Sequence, residues 1–289
     1  MNPFDLRGPE FLFFYLVFSG AILFALYLSR RLQEKPQSVP SLSIEDPYLF
    51  ACLNGGPKLA AETCAIALLD RGLLEISGTG SLRTVDKAQK PQKVALEQQV
   101  FEFFHPSGKV SSLLANAKEI DAVHTYEETL RQNGLIPDLS CRRSRQARTL
   151  LAVAALVGVS VIKILVALSR GHTNIAFLVI LTIVATVIAF FVGNPYRTAT
   201  GDAYLSNIRT LFGNLRGRID NVQPGGATKE LLWVGALFGV AAIPATSFPF
   251  MTDFRRMLPP QSGSGSSSGG GCSSGCGGGC GGGCGGCGG

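Results

Sequence analysis

The stretch FLFFYLVFSGAILFALYL, Phe11 to Leu28, decides the fold class. It runs eighteen residues without a charge, and a helix needs about 17–25 apolar residues to cross roughly 30 Å of hydrocarbon. Two further blocks repeat the pattern. Leu150 to Leu168 carries Lys163 as its single charge, and Ile175 to Val192 carries none. A segment in lipid must satisfy its own backbone hydrogen bonds, so each block reads as a helix. Charge content points the same way: 16% of the 289 residues are charged, against roughly 25% in soluble domains. The 46% that are hydrophobic gather in these blocks, not in a dispersed core pattern.

The first block reads as an uncleaved anchor. A signal peptide places basic residues ahead of a shorter apolar run. Here Asp5, Arg7 and Glu10 come before the run, and Arg30, Arg31 and Lys35 come after it. Lys and Arg collect on the cytoplasmic side of membrane segments. Arg30, Arg31 and Lys35 at one end, with Arg142, Arg143, Arg145 and Arg148 at the other, therefore place 29–149 in the cytoplasm. The N-terminal residues 1–10 then lie outside, Ser169–Asn174 is an external turn, and 193–230, with Arg197, Arg209, Arg216 and Arg218, is cytoplasmic. The expected location is multi-pass in a bacterial inner membrane, with spans at 11–28, 150–168 and 175–192. The net charge of +6 follows from this topology and from anionic lipid, and it calls for no nucleic-acid partner.

Residues 231–252 are also uncharged, and begin LLWVGALFGVAAI before Pro244 and Pro249 interrupt them. Thirteen good residues are too few to span, while twenty-two suffice if the prolines are tolerated. The segment either crosses as a fourth helix, which would leave Arg255 and Arg256 outside, or enters as a re-entrant or interfacial piece.

Between the first two spans lies the one stretch able to fold in water, with a core of about 42–138, enough for one small domain. Asp46-Pro47 opens a short helix that stops at Asn54-Gly55-Gly56. Pro57 suits the first position of the next helix. There Ala61, Cys64, Ala65 and Leu68 recur at helical spacing, and Gly72 caps the end. Leu73–Ser77 and Leu82–Val85 flank a Gly-Thr-Gly-Ser turn and read as a hairpin. Ala95–Phe104 is a second amphipathic helix, Ser111 or Ser112 opens a third, and Glu119–Asn133 is a fourth ended by Gly134. Leu69-Asp70-Arg71-Gly72-Leu73-Leu74 echoes Arg131-Gln132-Asn133-Gly134-Leu135-Ile136. Together these elements suggest a winged-helix-like module, doubled if the echo repeats the unit. A DNA reader presents a basic face, but Pro57–Arg71 sets Lys58 and Arg71 against Glu62 and Asp70. Protein interaction is the better reading of the domain.

Recognisable chemistry is sparse. His105, His124 and His172 hold no metal-ligand spacing, and no H-E-x-x-H is present. His105, between Phe104 and Pro106, reads as a helix-end cap, and Glu127-Glu128 reads as a solvated face. Gly55-Gly56-Pro57-Lys58 lacks the Walker pattern, and no G-x-S-x-G occurs. Lys163 is either a functional intramembrane charge or a side chain that snorkels to the interface.

Residues 261–289 hold sixteen Gly, seven Ser, five Cys and one Gln. So much Gly has nothing to offset its ordering entropy, so this tail is expected to be disordered. Its cysteines, Cys272, Cys276, Cys280, Cys284 and Cys287, are regularly spaced, yet Gly between them precludes a helix. Three readings stand. The thiols bind a soft metal, an enzyme modifies them with unobstructed access to the backbone, or the tract is expanded low-complexity sequence. Cys52, Cys64 and Cys141 fall in the cytosolic region, where disulfides are rare.

The segment DPYLFACLNGGPKLAAETCAIALLDRGLL, from Asp46 to Leu74, together with the Gly/Cys tail, resembles a family of bacterial membrane proteins of unassigned activity. Its members have an N-terminal span, a cytosolic segment, paired spans and a Gly- and Cys-rich C-terminal tail. The resemblance implies topology and a bacterial origin, and implies no chemistry. The fold expected is a mainly α membrane protein. It has three or four transmembrane helices, a small α+β winged-helix-like cytosolic domain and a disordered tail. The function expected is non-enzymatic: display of the tail for modification or soft-metal binding, with a modifying enzyme or protein partner recruited at the cytosolic domain. The alternative is a transport or channel component built on the hairpin and the Pro-containing fourth segment.

Overall fold

Helix α1 (Gly8–Gln33) opens the chain. In the computed structural model, residues 8–33, 45–78, 80–86, 89–169, 176–214 and 230–259 are described. Two long helices follow later, α6 (Leu139–Ser169) and α7 (Ala176–Gly193). Each of the three contains a window long and apolar enough to cross a membrane: Phe11–Ser29, Leu139–Val166 and Ala176–Gly193. No more than 22% of any of these windows is buried. Nearly all the large exposed apolar side chains belong to these helices, among them Phe13, Phe24, Leu151, Leu165, Phe177 and Phe191. An apolar surface of that extent is costly in water and suits lipid.

The expected second span at 150–168 begins earlier as a helix. Residues 139–149 contain neither Gly nor Pro, so nothing stops α6 from extending through its arginines. Helices α6 and α7 pair antiparallel. The Thr182 hydroxyl donates to Ser160 Oγ at 2.8 Å, and a Cβ at Gly193 would fall on the Thr149 side chain. Between those two points Ala185 and Ala189 are buried, four residues apart. Small residues at that interval let helix backbones approach closely. Tyr15 of α1, fully buried, donates to the Leu156 carbonyl at 3.2 Å and ties the first helix to the pair.

The second core is built on α2 (Pro47–Asp70), whose two halves meet at a break. Gly56 sits at φ 73° and ψ −165°, a conformation open to glycine, and Pro57 restarts the helix. Asp46 caps the first half by accepting from the Tyr48 amide at 3.0 Å. Strands β1 (Leu74–Ser77) and β2 (Ser81–Thr84) form the hairpin. Then come α3 (Ala95–Phe103), β3 (Ser107–Lys109), α4 (Val110–Ala115) and α5 (Asp121–Gln132). The sheet has the order β1-β2-β3, antiparallel throughout, with Ser81 opposite Lys109. Strand β3, Ser-Gly-Lys, is too short and too polar to show a strand period in sequence.

The echo between the two helix ends is also geometric. Gly72 and Gly134 both take φ 68°. At the first, Leu73 N donates to Leu68 O and Gly72 N to Leu69 O; at the second, Leu135 N donates to Leu130 O and Gly134 N to Arg131 O. Both are Schellman caps, which satisfy the last carbonyls of a helix. The two chains diverge afterwards. Gly72 leads into a hairpin, whereas Gly134 leads through Pro137-Asp138 into α6, so one hairpin exists among the described residues and the doubled module is not formed.

The segment 231–252 contains no single long helix. It divides into α9 (Glu230–Phe238), a 3-10 turn at Val240–Ala242 and the start of α10 (Phe250–Met257). Nine residues of α9 cover about 14 Å at 1.5 Å each, half of a bilayer's hydrocarbon. Gly239, at φ 85°, ends the helix. Leu231 through Leu237 are all buried, and they share one core with Tyr48–Leu53 and with Ala60–Leu68 apart from partly exposed Glu62. Helix α8 (Ala199–Leu211) adds Tyr204, Leu205 and Ile208 to that core. Phe50, 5.4 Å from Trp233 between ring centroids, and Phe212, stacked on it at 4.8 Å, enclose the indole. Among the described residues, 231–252 forms no helix long and apolar enough to cross a membrane. The apolar run of α9 packs against α2 and α8.

Candidate functional site

The five tail cysteines at 272, 276, 280, 284 and 287 lie outside the described residues, as does His172. Among the described residues, polar side chains converge at two places, and both involve α2.

The first is the Asn54-Gly55-Gly56-Pro57 break. Asn54 Nδ2 donates to the carbonyls of Ala236 (2.9 Å) and Leu237 (3.1 Å). Arg209 of α8 donates Nε to the same Leu237 carbonyl at 2.8 Å, and one terminal nitrogen to Asn54 Oδ1 at 2.7 Å. The last carbonyls of α9, which have no partner within the helix, are thus held from α2 and α8 together. Burial, with Arg197 nearby, holds the Arg209 pKa below its ordinary value. Across the break, the Tyr196 ring lies against Gly56, where a Cβ would come within 3.3 Å of it. The Tyr196 hydroxyl donates to Glu127 of α5 at 3.2 Å and lies 3.9 Å from the Cys52 sulfur. Glu127 is therefore engaged, unlike the solvated face expected of it; Glu128 is exposed and pairs with Arg131.

Tyr196 belongs to the short connection between α7 and α8, which is tied down along its length. Arg145 donates to the Pro195 carbonyl at 3.3 Å, and Thr198 Oγ1 donates to Gly134 O at 2.8 Å. A Cβ at Gly201 would strike the Leu135 carbonyl. The chain leaving α7 is thereby fastened to the start of α6, to the end of α5 and to α2.

The second convergence surrounds Glu97 of α3, which is 3% exposed. Tyr48 Oη donates to its Oε1 at 2.6 Å and Arg71 to its Oε2 at 2.8 Å, so both carboxylate oxygens are occupied. Such an acid is acceptable in a core because its charge is paired and hydrogen-bonded. Burial first, then Cys64 and Glu97, push the Tyr48 hydroxyl well above its usual pKa. Helix end and sheet are linked nearby, where His105 Nδ1 and Thr84 Oγ1 share a hydrogen bond of 3.0 Å.

The cysteines of this region are packing residues. Cys52 and Cys64 are fully buried. Burial raises the Cys52 thiol to about 12, and the Cys64 thiol well above its usual value. The thiolate is the reactive and metal-binding form, so neither offers it near neutral pH. Among the described residues no three His, Cys, Asp or Glu side chains are grouped to hold a metal. Lys163 lies with its ammonium 4.4 Å from the centroid of the Phe11 ring, at the beginning of the first apolar window.

Asn54, Tyr196, Glu97 and Arg209 were not singled out from sequence as a set. The signal available was the Asn-Gly-Gly-Pro break itself, a pattern costly inside a helix unless another element needs it. Comparison with family models, with curated proteins and with solved structures returns no match.

Proposed function

We propose that the protein is a non-enzymatic membrane anchor that presents its Gly/Cys tail for modification or soft-metal binding, while its folded domain recruits a protein partner. The observation that carries the reading is the division of the cysteines. Within the fold Cys52 and Cys64 are buried and held protonated, whereas five thiols at regular spacing occupy a Gly-rich tail with no apolar side chains to bury.

The anchor is supported by three helices whose exposed faces are apolar. The domain's hairpin follows a Gly-capped helix and gains a third strand from the end of α3, an arrangement in keeping with a winged-helix-like module. Its α5 carries Asp121, Glu127 and Glu128 against Arg131, which suits a protein partner better than a phosphate backbone. The segment Asp46–Leu74, on which the resemblance to the bacterial membrane family rests, is the break-containing helix that organises this core.

Two observations weigh against transport. Lys163 stacks over Phe11, close to the outer end of the first span in the expected topology, where an ammonium reaches the interface. Residues 231–252 pack in the domain core instead of lining a path between helices.

The test is genetic. A strain deleted for the gene is complemented with a chain in which all five tail cysteines are changed to Ser. Loss of complementation, with the protein still present in membranes at normal level, is the expected result. Full complementation would remove the tail from the function.

A further inference from the structure

We infer that the tail leaves the fold on the cytoplasmic face of the membrane, the face that carries the 45–138 domain, so that its five thiols are reduced and meet their partner in the cytosol. This rests on the display reading above and gives it a compartment.

In sequence, the side of the tail depends on 231–252, because a crossing there would carry the C-terminus outside. The structure places that segment elsewhere. Val234, Ala236 and Leu237 of α9 are fully buried in a core shared with Phe50, Cys52 and Ala61 of α2. The α9 terminus is held by Asn54 and Arg209. Arg255 of α10 donates to the carbonyls of Ala241 (3.2 Å) and Ile243. Met251 and Phe254 close the same core from the last helix, both fully buried. A helix that shares its core and its end carbonyls with a water-soluble domain must lie on that domain's side of the membrane.

Among the described residues after α7 no helix is long and apolar enough to cross. Residues 215–229, LRGRIDNVQPGGATK, contain Arg216, Arg218, Asp220, Lys229 and Pro224, a composition the bilayer interior rejects. Among the described residues three helices can cross, α1, α6 and α7. An odd number puts the two termini on opposite faces. Exposed Arg142 and Arg143, at the domain end of α6, mark that end as cytoplasmic.

The chemistry follows from the compartment. Cytosolic thiols are kept reduced, so the tail is offered as five free thiols to a cytosolic enzyme or to a soft metal ion delivered from within. Disulfide pairing in an oxidising space is excluded.

The test uses the full chain with Cys141 and the five tail cysteines changed to Ser, and one reporter cysteine at a time, Ser264→Cys or Asn174→Cys. Cells are treated with a membrane-impermeant maleimide before and after permeabilisation. Asn174→Cys is expected to label in intact cells, and Ser264→Cys only after permeabilisation. Labelling of Ser264→Cys in intact cells overturns the inference. The reporter replaces the native tail thiols, so its labelling reads sidedness whether or not those thiols are modified. Complementation by the Ser-substituted chain would, by contrast, sink the display function and leave the sidedness intact.

Discussion

Asn54 and Arg209 hold one carbonyl, that of Leu237, from two different helices, and Asn54 also receives a hydrogen bond from Arg209. Removing the amide takes the donor from the Ala236 carbonyl and the acceptor from Arg209, while Arg209 still holds the Leu237 carbonyl; a buried polar group left unpaired costs about 1–3 kcal/mol. Asn54→Ala is therefore expected to lower the apparent unfolding midpoint of the purified protein, while Asn54→Asp, which keeps an acceptor for Arg209, loses less. Equal losses would mean that the two donated bonds carry all the effect. A second residue responds to pH. Burial raises the Glu62 carboxyl from 4.5 to about 7, and Lys58 opposes the shift. Between those values the folded chain keeps a proton that the unfolded chain has released, so stability falls as pH rises from 4.5, and the Glu62 penalty is complete once pH passes about 7. Glu62→Gln removes the penalty. Its unfolding midpoint should exceed that of the native chain at pH 8 and match it more closely at pH 5, and an offset independent of pH would contradict the assignment. The role of Asn54 was not legible in the sequence, because its partners Ala236, Leu237 and Arg209 lie far along the chain.

At the scale of elements, local signals were written plainly wherever glycine or proline set the backbone. Gly56, Gly72 and Gly134 all take positive φ, and each stands where composition places a helix break or a cap. The three long apolar helices were equally plain. What could not be read was α9, since an apolar run of moderate length fits a buried core helix as well as part of a span. The deciding information is the set of side chains around Trp233, namely Phe50 of α2 and Phe212 after α8. Those contacts join positions far apart in sequence. Trp233→Ala should cost about 3–5 kcal/mol, as deletion of a packed indole does, and should loosen α8 as well as α9. Hydrogen exchange on the solubilised protein would show this as lost protection in 199–211 as well as 230–238. Loss confined to 230–238 would argue that α9 is a separate unit.

Taken whole, the chain combines three helices long and apolar enough to cross a membrane with a domain assembled from both sides of the α6–α7 hairpin. The connection through Tyr196 and Thr198 binds the two together. Sequence alone exposed three helices long and apolar enough to cross a membrane and the regularity of the tail cysteines. The shared core of 45–138 with 199–258 required the fold. The buried thiols of that core, Cys52 and Cys64, are packing groups, and five of the eight cysteines of the chain fall in the tail. The most direct test is the intact mass of the C-terminal fragment, released from native membranes without reductant and under conditions that retain metals. The account predicts a mass above that of the unmodified sequence, from a covalent addition at the cysteines or from bound metal. A mass equal to that of five free thiols, with no metal retained, would contradict it.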